Sequence, residues 1–483
     1  MSSLFLGIFL AIALAALPLI VVAANQSNGA NSSGRRSRSA YDSRRLRQML
    51  NKSAGEPLAF YHKRIFGEPD VVTVGNQTRG LIVGSSGTGK TNYILAQLWE
   101  WGKSGKSFVV TDIKPQIFGV LAKNGFFEHF GYKPIVINPN DAYAHKYNLL
   151  DDICLDLDSE LDEILYILIP SHAEDAAFAD FGRLIFKAII LDLGADASLS
   201  AAYRKLAAFA NAEKLLNYLK RSENPKVVKF ANQAATISSN ERFAASGINA
   251  IVSALEFLNN DVIAQSQEPS KPLRLRELLK QNKVAVFLQF EQEYQNSNEK
   301  LYSATVQAII TFLMSNYKHR KEVLLLFDEL LNGGKINQLA DKFNTMRSYK
   351  LPSFLYIQSI AGIYEKYGIY EADKLMAACD FQVCYRTNDQ QTADFFAKKS
   401  GLVEVTYKSF SDRPKGEGGG VERTVSYRTE KEQLVSQENL FRMKEGEALV
   451  FYRGEVAITK MPEHYKDTPM KQIEDEVRLG DFG

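Results

Sequence analysis

The chain is poor in cysteine, with Cys154, Cys379 and Cys384 the only three among 483 residues. So few thiols exclude a disulfide framework. Cys379 and Cys384, five apart with no second pair of Cys or His, lack metal-ligand spacing. Free buried thiols in a reducing compartment are the reading that follows. Net charge is equally scarce, at +2, which excludes a uniformly basic nucleic-acid binder. The positive charge that exists is concentrated: residues 26–64 carry +7, from Arg35, Arg36, Arg38, Arg44, Arg45, Arg47, Lys52, Lys63 and Arg64 against Asp42 and Glu56, leaving −5 elsewhere. No internal repeat is present. A chain of this length with 45% hydrophobic and 24% charged residues fits two or three ordinary globular domains.

Charge is also missing from "LFLGIFLAIALAALPLIVVAA", Leu4 to Ala24, long enough for a bilayer core of about 30 Å. A cleaved signal peptide is the competing reading, since "VVAA" offers a small-residue cleavage site. Against cleavage, no Lys or Arg precedes the apolar run, whereas arginines crowd after it. The positive-inside rule then puts the C-terminal side in the cytoplasm, with the run as an uncleaved anchor over residues 1–25. The basic stretch 26–56, rich in Ser, Asn, Gly and Arg, reads as a flexible tether able to meet anionic headgroups.

From residue 57 strand-like and helix-like segments alternate, which implies an α/β fold with a mostly parallel sheet covered on both faces. Strands are expected at 71–74, 79–84, 107–112, 133–138, 283–290, 322–330, 353–359 and 381–387. An antiparallel hairpin over 447–460 would turn at Arg453-Gly454. Residues 158–262 show helical spacing without a strand, so an all-α insertion divides a nucleotide-binding domain into 57–157 and 263–483. The Gly-rich, polar stretch 409–431 reads as a mobile loop.

Chemistry enters with "LIVGSSGTGKT". Gly84, Ser85, Ser86, Gly87, Thr88, Gly89, Lys90 and Thr91 satisfy G-x-x-x-x-G-K-[ST] between an apolar strand and a helix start. Backbone N–H groups freed by glycine, with the positive end of a helix, cradle phosphate. Lys90 would reach the β- and γ-phosphates of ATP and Thr91 would hold Mg²⁺. In "EVLLLFDEL" a buried apolar run ends in Asp328, suited to Mg²⁺, and Glu329, suited to polarising the attacking water. "SFLYIQS" ends in Gln358, a phosphate sensor or a local cap. Arg347, 19 residues after Asp328, is a surface charge or an arginine finger. Asp112 and Lys114 end another strand, where ligands bind in open parallel sheets. Pairing of the two with each other is the alternative, and the sequence does not separate the two.

These motifs together resemble the conjugative coupling proteins of type IV secretion systems, the TraG/TraD-like DNA-pumping ATPases. The likeness spans most of residues 79–460 and rests on "GSSGTGKT", "VVTDIKPQ", "INPNDAYAHKYNLLDD", "DELLNGGKINQLADKFNTMRS", "LPSFLYIQSIAGIYEKYG", "CDFQVCYRTNDQQTADFFAKKSG" and "EGEALVFYRG". It implies a RecA-like P-loop NTPase in a ring, expected to be hexameric, at the bacterial inner membrane. Lys90 and Thr91 then act on ATP and Mg²⁺, Asp328 and Glu329 form Walker B, Gln358 senses phosphate, and Arg347 is a finger acting in trans. The load implied is single-stranded DNA with its relaxase, delivered to the secretion channel. The chain departs from the family in having one apolar span where two are usual, Pro115-Gln116 where D-x-K-G-E is frequent, and "DEL" for "DEF". It also has no long acidic C-terminal tail. A protein-effector ATPase, a cell-division-type double-stranded DNA pump and a nucleotide-gated docking platform are the alternatives.

Overall fold

The structure, a computed structural model, describes residues 77–155, 158–171, 175–238, 240–268, 273–290, 295–415 and 420–461, plus short strands at Arg35–Arg36, Phe60–His62 and Asp70–Val72. The expected membrane span, Leu4 to Ala24, lies outside these residues. Among the described residues no helix is long and apolar enough to cross a membrane. Most of the expected tether also lies outside them, but Arg35–Arg36 within it is a strand rather than featureless chain.

Two compact units result. One contains Gly401–Leu434 and the strand Arg35–Arg36; the other contains the described residues of Tyr41–Ser400 and Val435–Gly483. The larger unit is organised by a nine-stranded sheet. Its strands are β1 (Arg79–Val83), β2 (Ser107–Thr111), β3 (Lys133–Ile137), β4 (Val284–Leu288), β5 (Val323–Phe327), β6 (Ser353–Ile357) and β7 (Phe381–Cys384). The smaller unit supplies β8 (Leu402–Lys415) and β9 (Gly420–Gln433), and the larger sheet ends with β10 (Glu447–Tyr452) and β11 (Glu455–Lys460). Spatial order across the large sheet is β11-β10-β7-β1-β6-β5-β2-β4-β3. From β7 to β3 every neighbouring pair is parallel, while β7–β10 and β10–β11 are antiparallel.

The apolar runs explain this arrangement. β1, β2, β4, β5 and β6 are buried along their whole length, as parallel strands covered on both faces must be. Aromatic side chains fill one flank: Phe108 meets Phe287 edge-on at 5.7 Å, and Trp99 meets Phe130 at 4.9 Å. Each such burial stabilises by about 1.5–3 kcal/mol. The Trp101 indole inside this layer is satisfied by the Ser107 carbonyl at 3.0 Å. The β10–β11 hairpin turns at Arg453 and Gly454, both with positive φ, as expected. Every element described between 158 and 266 is a helix, from Asp158–Leu168 to Asp261–Ser266, in the same compact unit as the sheet.

One expectation fails in the smaller unit. Residues 409–415 and 420–431 are strand, not a loop: β8 and β9 pair antiparallel from Leu402↔Gln433 to Lys415↔Gly420. "VERTVSYRT" alternates β-branched and aromatic residues with polar ones, a period-2 pattern that carries the strand onward.

Candidate nucleotide site

All the groups read as catalytic or phosphate-binding, except Arg347, converge at the carboxyl-terminal edge of the parallel sheet. β1 delivers the chain into the loop 84–89, which leads into the helix Lys90–Ser104. The loop entry is clamped from both sides. The Gly84 N–H donates to the Ile357 carbonyl at the end of β6 (3.2 Å), and the Ser85 N–H donates to the Arg386 carbonyl beyond β7 (3.3 Å). The Tyr385 N–H returns a bond to the Val83 carbonyl (2.8 Å), and the Asn388 N–H donates to Ser85 Oγ (3.1 Å). Glycine is required at 84, because a Cβ there would stand 2.7 Å from both Tyr385 Cβ and Thr88 Oγ1. Gly89, at φ 109°, begins the helix in a conformation an L side chain rarely adopts. Ser86 and Gly87 are exposed at the loop tip, Ser85 and Thr91 are half-buried, and Thr88 is buried with its hydroxyl on the Ser85 carbonyl at 2.7 Å.

Lys90 is buried, its ammonium donating to the Gly84 carbonyl at 2.6 Å and the Ser85 carbonyl at 3.2 Å. Burial lowers its pKa from the ordinary lysine value. Glu329 and Asp328 oppose that shift, and Lys114 adds to it. The two carboxylates follow β5 directly. Asp328 is 6% exposed, and its side chain takes no hydrogen bond or ion pair among the described residues. Burial, then the neighbouring Glu329 and Asp112 charges, push its carboxyl up to about 7, against the pull of Lys90 and Lys114.

Glu329 is held from several directions. Its Oε2 accepts from Gln358 Nε2 at 2.8 Å and Asn332 Nδ2 at 3.3 Å, and its Oε1 lies 3.9 Å from Lys114 Nζ. Its backbone sits at φ 51°, a left-handed conformation that costs a non-glycine residue about 1–3 kcal/mol. Strain at a side chain so firmly oriented is the usual mark of a functional position.

The ambiguity over Asp112 and Lys114 resolves into two separate roles. Asp112 is fully buried and caps the helix Ile117–Lys123: Oδ1 accepts from the Gln116 and Ile117 N–H groups (both 3.1 Å), and Oδ2 from the Phe118 N–H (3.0 Å) and Gln289 Nε2 (3.3 Å). Burial raises its pKa although those hydrogen bonds pull it down. Lys114 turns instead to Glu329. Gln358 belongs to the site rather than to a local cap. That capping is done by Ser359, which accepts the Gly362 N–H.

Arg347 is the exception. It is exposed at the C-terminal end of the helix Leu339–Met346, six residues before β6 begins. Ser353 pairs with Arg79, the first residue of β1. Arg347 therefore adjoins the opposite edge of the sheet, roughly 16 Å from the phosphate loop by strand length alone. It does not join the site of its own chain.

The bracket Tyr385–Asn388 and the Asn332 contact were not among the expected site residues. The signal for the first was legible: "FQVCYRTND" is an apolar parallel strand ending in polar residues, at the strand end where ligands gather. Asn332 carried no such signal, since only the tight turn after Glu329, closed by the Asn332 N–H on the Glu329 carbonyl at 2.8 Å, folds it back.

Comparison with known proteins agrees with this geometry. A family profile described as Type IV secretory system Conjugative DNA transfer matches residues 47–479. The fold is similar to the plasmid coupling protein TrwB in complex with ADP and Mg²⁺, with TM-score 0.61 and 18% identity over 93% of this chain and 98% of that one. TrwB with a non-hydrolysable ATP analogue gives 0.59 and 18% over 91% and 96%. VirB4 of Thermoanaerobacter pseudethanolicus gives 0.51 and 12% over 84% and 96%. At these identities the likeness is one of fold. No curated protein matches the sequence.

Proposed function

The chain belongs to the type IV secretory system conjugative DNA transfer family, and on that premise we propose that it is a membrane-anchored ATPase. In this reading it couples ATP hydrolysis to moving single-stranded DNA, with its relaxase, to a secretion channel. One observation carries the hydrolytic part: Glu329, strained and triply held, stands beside an unpartnered buried Asp328 and the phosphate-loop lysine.

The residues fit ATP and Mg²⁺. Gly87 and Gly89 adopt positive φ in the loop tip, which leaves backbone N–H groups to face phosphate oxygens. Lys90, which satisfies its ammonium on two loop carbonyls, can exchange them for phosphate oxygens. Asp328 and Thr91 would hold Mg²⁺, the carboxylate through its ionised form. Bound Mg²⁺ would supply neutralisation of phosphate charge. Glu329 takes the proton of the attacking water, and Gln358 and Asn332 hold the carboxylate in the orientation that does so. Gln358 is placed to trade its bond to Glu329 for one to phosphate, which couples the occupied site to β6. Arg347 completes the site of a neighbouring copy in a ring.

Steady-state hydrolysis by the full chain in detergent, with and without single-stranded DNA, tests this. The expected result is a DNA-stimulated rate abolished by Glu329→Gln. A rate that survives that substitution and ignores DNA would remove the motor reading.

A further inference from the structure

The ribbon β8–β9 displays an uneven pair of faces. In an antiparallel pair, opposed residues share a face, so Leu402, Glu404, Thr406, Lys408, Phe410 and Asp412 lie with Arg423, Val425, Tyr427, Thr429, Lys431 and Gln433, with Asp412 opposite Arg423 and Glu404 opposite Lys431 in register. Among the described residues, every exposed large apolar side chain of the ribbon is on that side: Leu402 at 66%, Phe410 at 45%, Val425 at 38% and Tyr427 at 67%. Cations interleave with the rings. Lys408 Nζ lies 5.0 Å from the Phe410 centroid and 5.8 Å from that of Tyr427, and the Arg423 guanidinium lies 5.6 Å from Phe410. Both faces carry charge of both signs; the other buries Val405, holds Arg428, Glu430 and Glu432, and exposes no large apolar side chain among the described residues. Exposed aromatics among Lys and Arg suit two kinds of surface, a nucleic-acid strand or an anionic lipid headgroup layer.

Chain continuity decides between them. The strand Arg35–Arg36 pairs with this ribbon, Arg35 opposite Thr406 and Arg36 opposite Val405. The apolar run ends at Ala24, eleven positions earlier, which reaches at most roughly 40 Å when fully extended. Phe410 lies four residues beyond Thr406, about 13 Å along the strand. The aromatic face is thus tethered within reach of the bilayer surface.

We propose that the Lys408–Phe410–Arg423–Tyr427 face of the ribbon docks on the anionic cytoplasmic surface of the membrane. The rings would sit at headgroup depth and the Lys408 ammonium against lipid phosphate. The proposal rests on the reading of Leu4–Ala24 as a membrane span.

The test uses the full chain reconstituted in phosphatidylglycerol vesicles with brominated acyl chains, which quench nearby tryptophan. The native Trp99 and Trp101 are buried and supply a common background. Tyr427→Trp is expected to lose fluorescence relative to Arg428→Trp on the opposite face. The loss should shrink with Lys408→Glu and at high salt, where screening shortens to about 3 Å at 1 M. Leu14→Trp reports the span independently. Quenching of Leu14→Trp without preferential quenching of Tyr427→Trp overturns the proposal and leaves the anchor standing. An unquenched Leu14→Trp removes the anchor reading and the proposal with it. Quenching of Tyr427→Trp by a single-stranded oligonucleotide in place of lipid also overturns it and assigns the face to nucleic acid. If Tyr427→Trp fails to fold, Phe410→Trp reads the same face.

Discussion

The two edges of the central sheet are built from the same strands and treat charge in opposite ways. At the amino-terminal edge, cations are consumed locally. Arg79 lies beside Asp380 at 4.0 Å and donates to the Phe343 carbonyl at 3.4 Å. Arg320 spends its guanidinium on the carbonyls of Leu313, Lys321 and Tyr349, and Lys106 pairs with Glu322. At the carboxyl-terminal edge, charge is held in reserve: Asp328 is buried with no side-chain hydrogen bond or ion pair among the described residues, and Lys90 is parked on loop carbonyls. Arg347 breaks the rule of its own edge, being exposed with no ion pair or hydrogen bond to its side chain among the described residues. The contrast teaches that one edge is a scaffold and the other a candidate site, with Arg347 standing exposed at the scaffold edge.

The largest effect expected from breaking this asymmetry is at that arginine. Arg347→Ala should lower the hydrolysis rate by about 10³–10⁵-fold if it acts as a finger, with nucleotide affinity nearly unchanged in an equilibrium binding assay. Glu329→Gln should follow, with a loss of about 10²–10⁴-fold. Gly84→Ala forces a methyl group against Tyr385 and Thr88, and thermal melts should show about 1–3 kcal/mol of destabilisation together with weakened nucleotide binding.

Proton linkage separates the edges further. The Asp328 carboxyl, at about 7 in the folded chain against about 3.9 when unfolded, binds its proton more tightly when folded. Its contribution to stability is therefore present at low pH and lost as pH rises from about 4 to about 7. Melts of the nucleotide-free chain across this window should show that decline, and Asp328→Asn should flatten it. Mg²⁺, which needs the ionised carboxylate, should bind more tightly as pH rises through the same range. The smallest effect belongs to Asp112: Asp112→Ala removes the helix cap, about 0.5–2 kcal/mol, which chemical denaturation would register.

The legible parts of the molecule were those in which a local pattern determines the outcome. A short β-branched and leucine-rich run bounded by charge, such as Val323–Phe327 between Glu322 and Asp328, fits a buried strand, and the glycine spacing from Gly84 to Gly89 announces its loop. The roles of Asp112 and Lys114 were illegible because both end the same strand. The choice between helix cap and Glu329 partner depends on how the following residues fold back. The ribbon β8–β9 was misread because glycines cluster in the sequence at 416 and 418–420, and composition averaged over that stretch hid the alternation on either side.

The account turns on the claim that one chain's site is finished by another chain's Arg347. Mixing Glu329→Gln chains with Arg347→Ala chains and measuring ATP hydrolysis tests this directly. Each variant alone should be nearly inactive. The mixture should recover activity, because interfaces form that join an intact Lys90–Glu329 site to an intact arginine. A mixture no faster than its two components, or an Arg347→Ala chain that hydrolyses ATP at the full rate by itself, would contradict it.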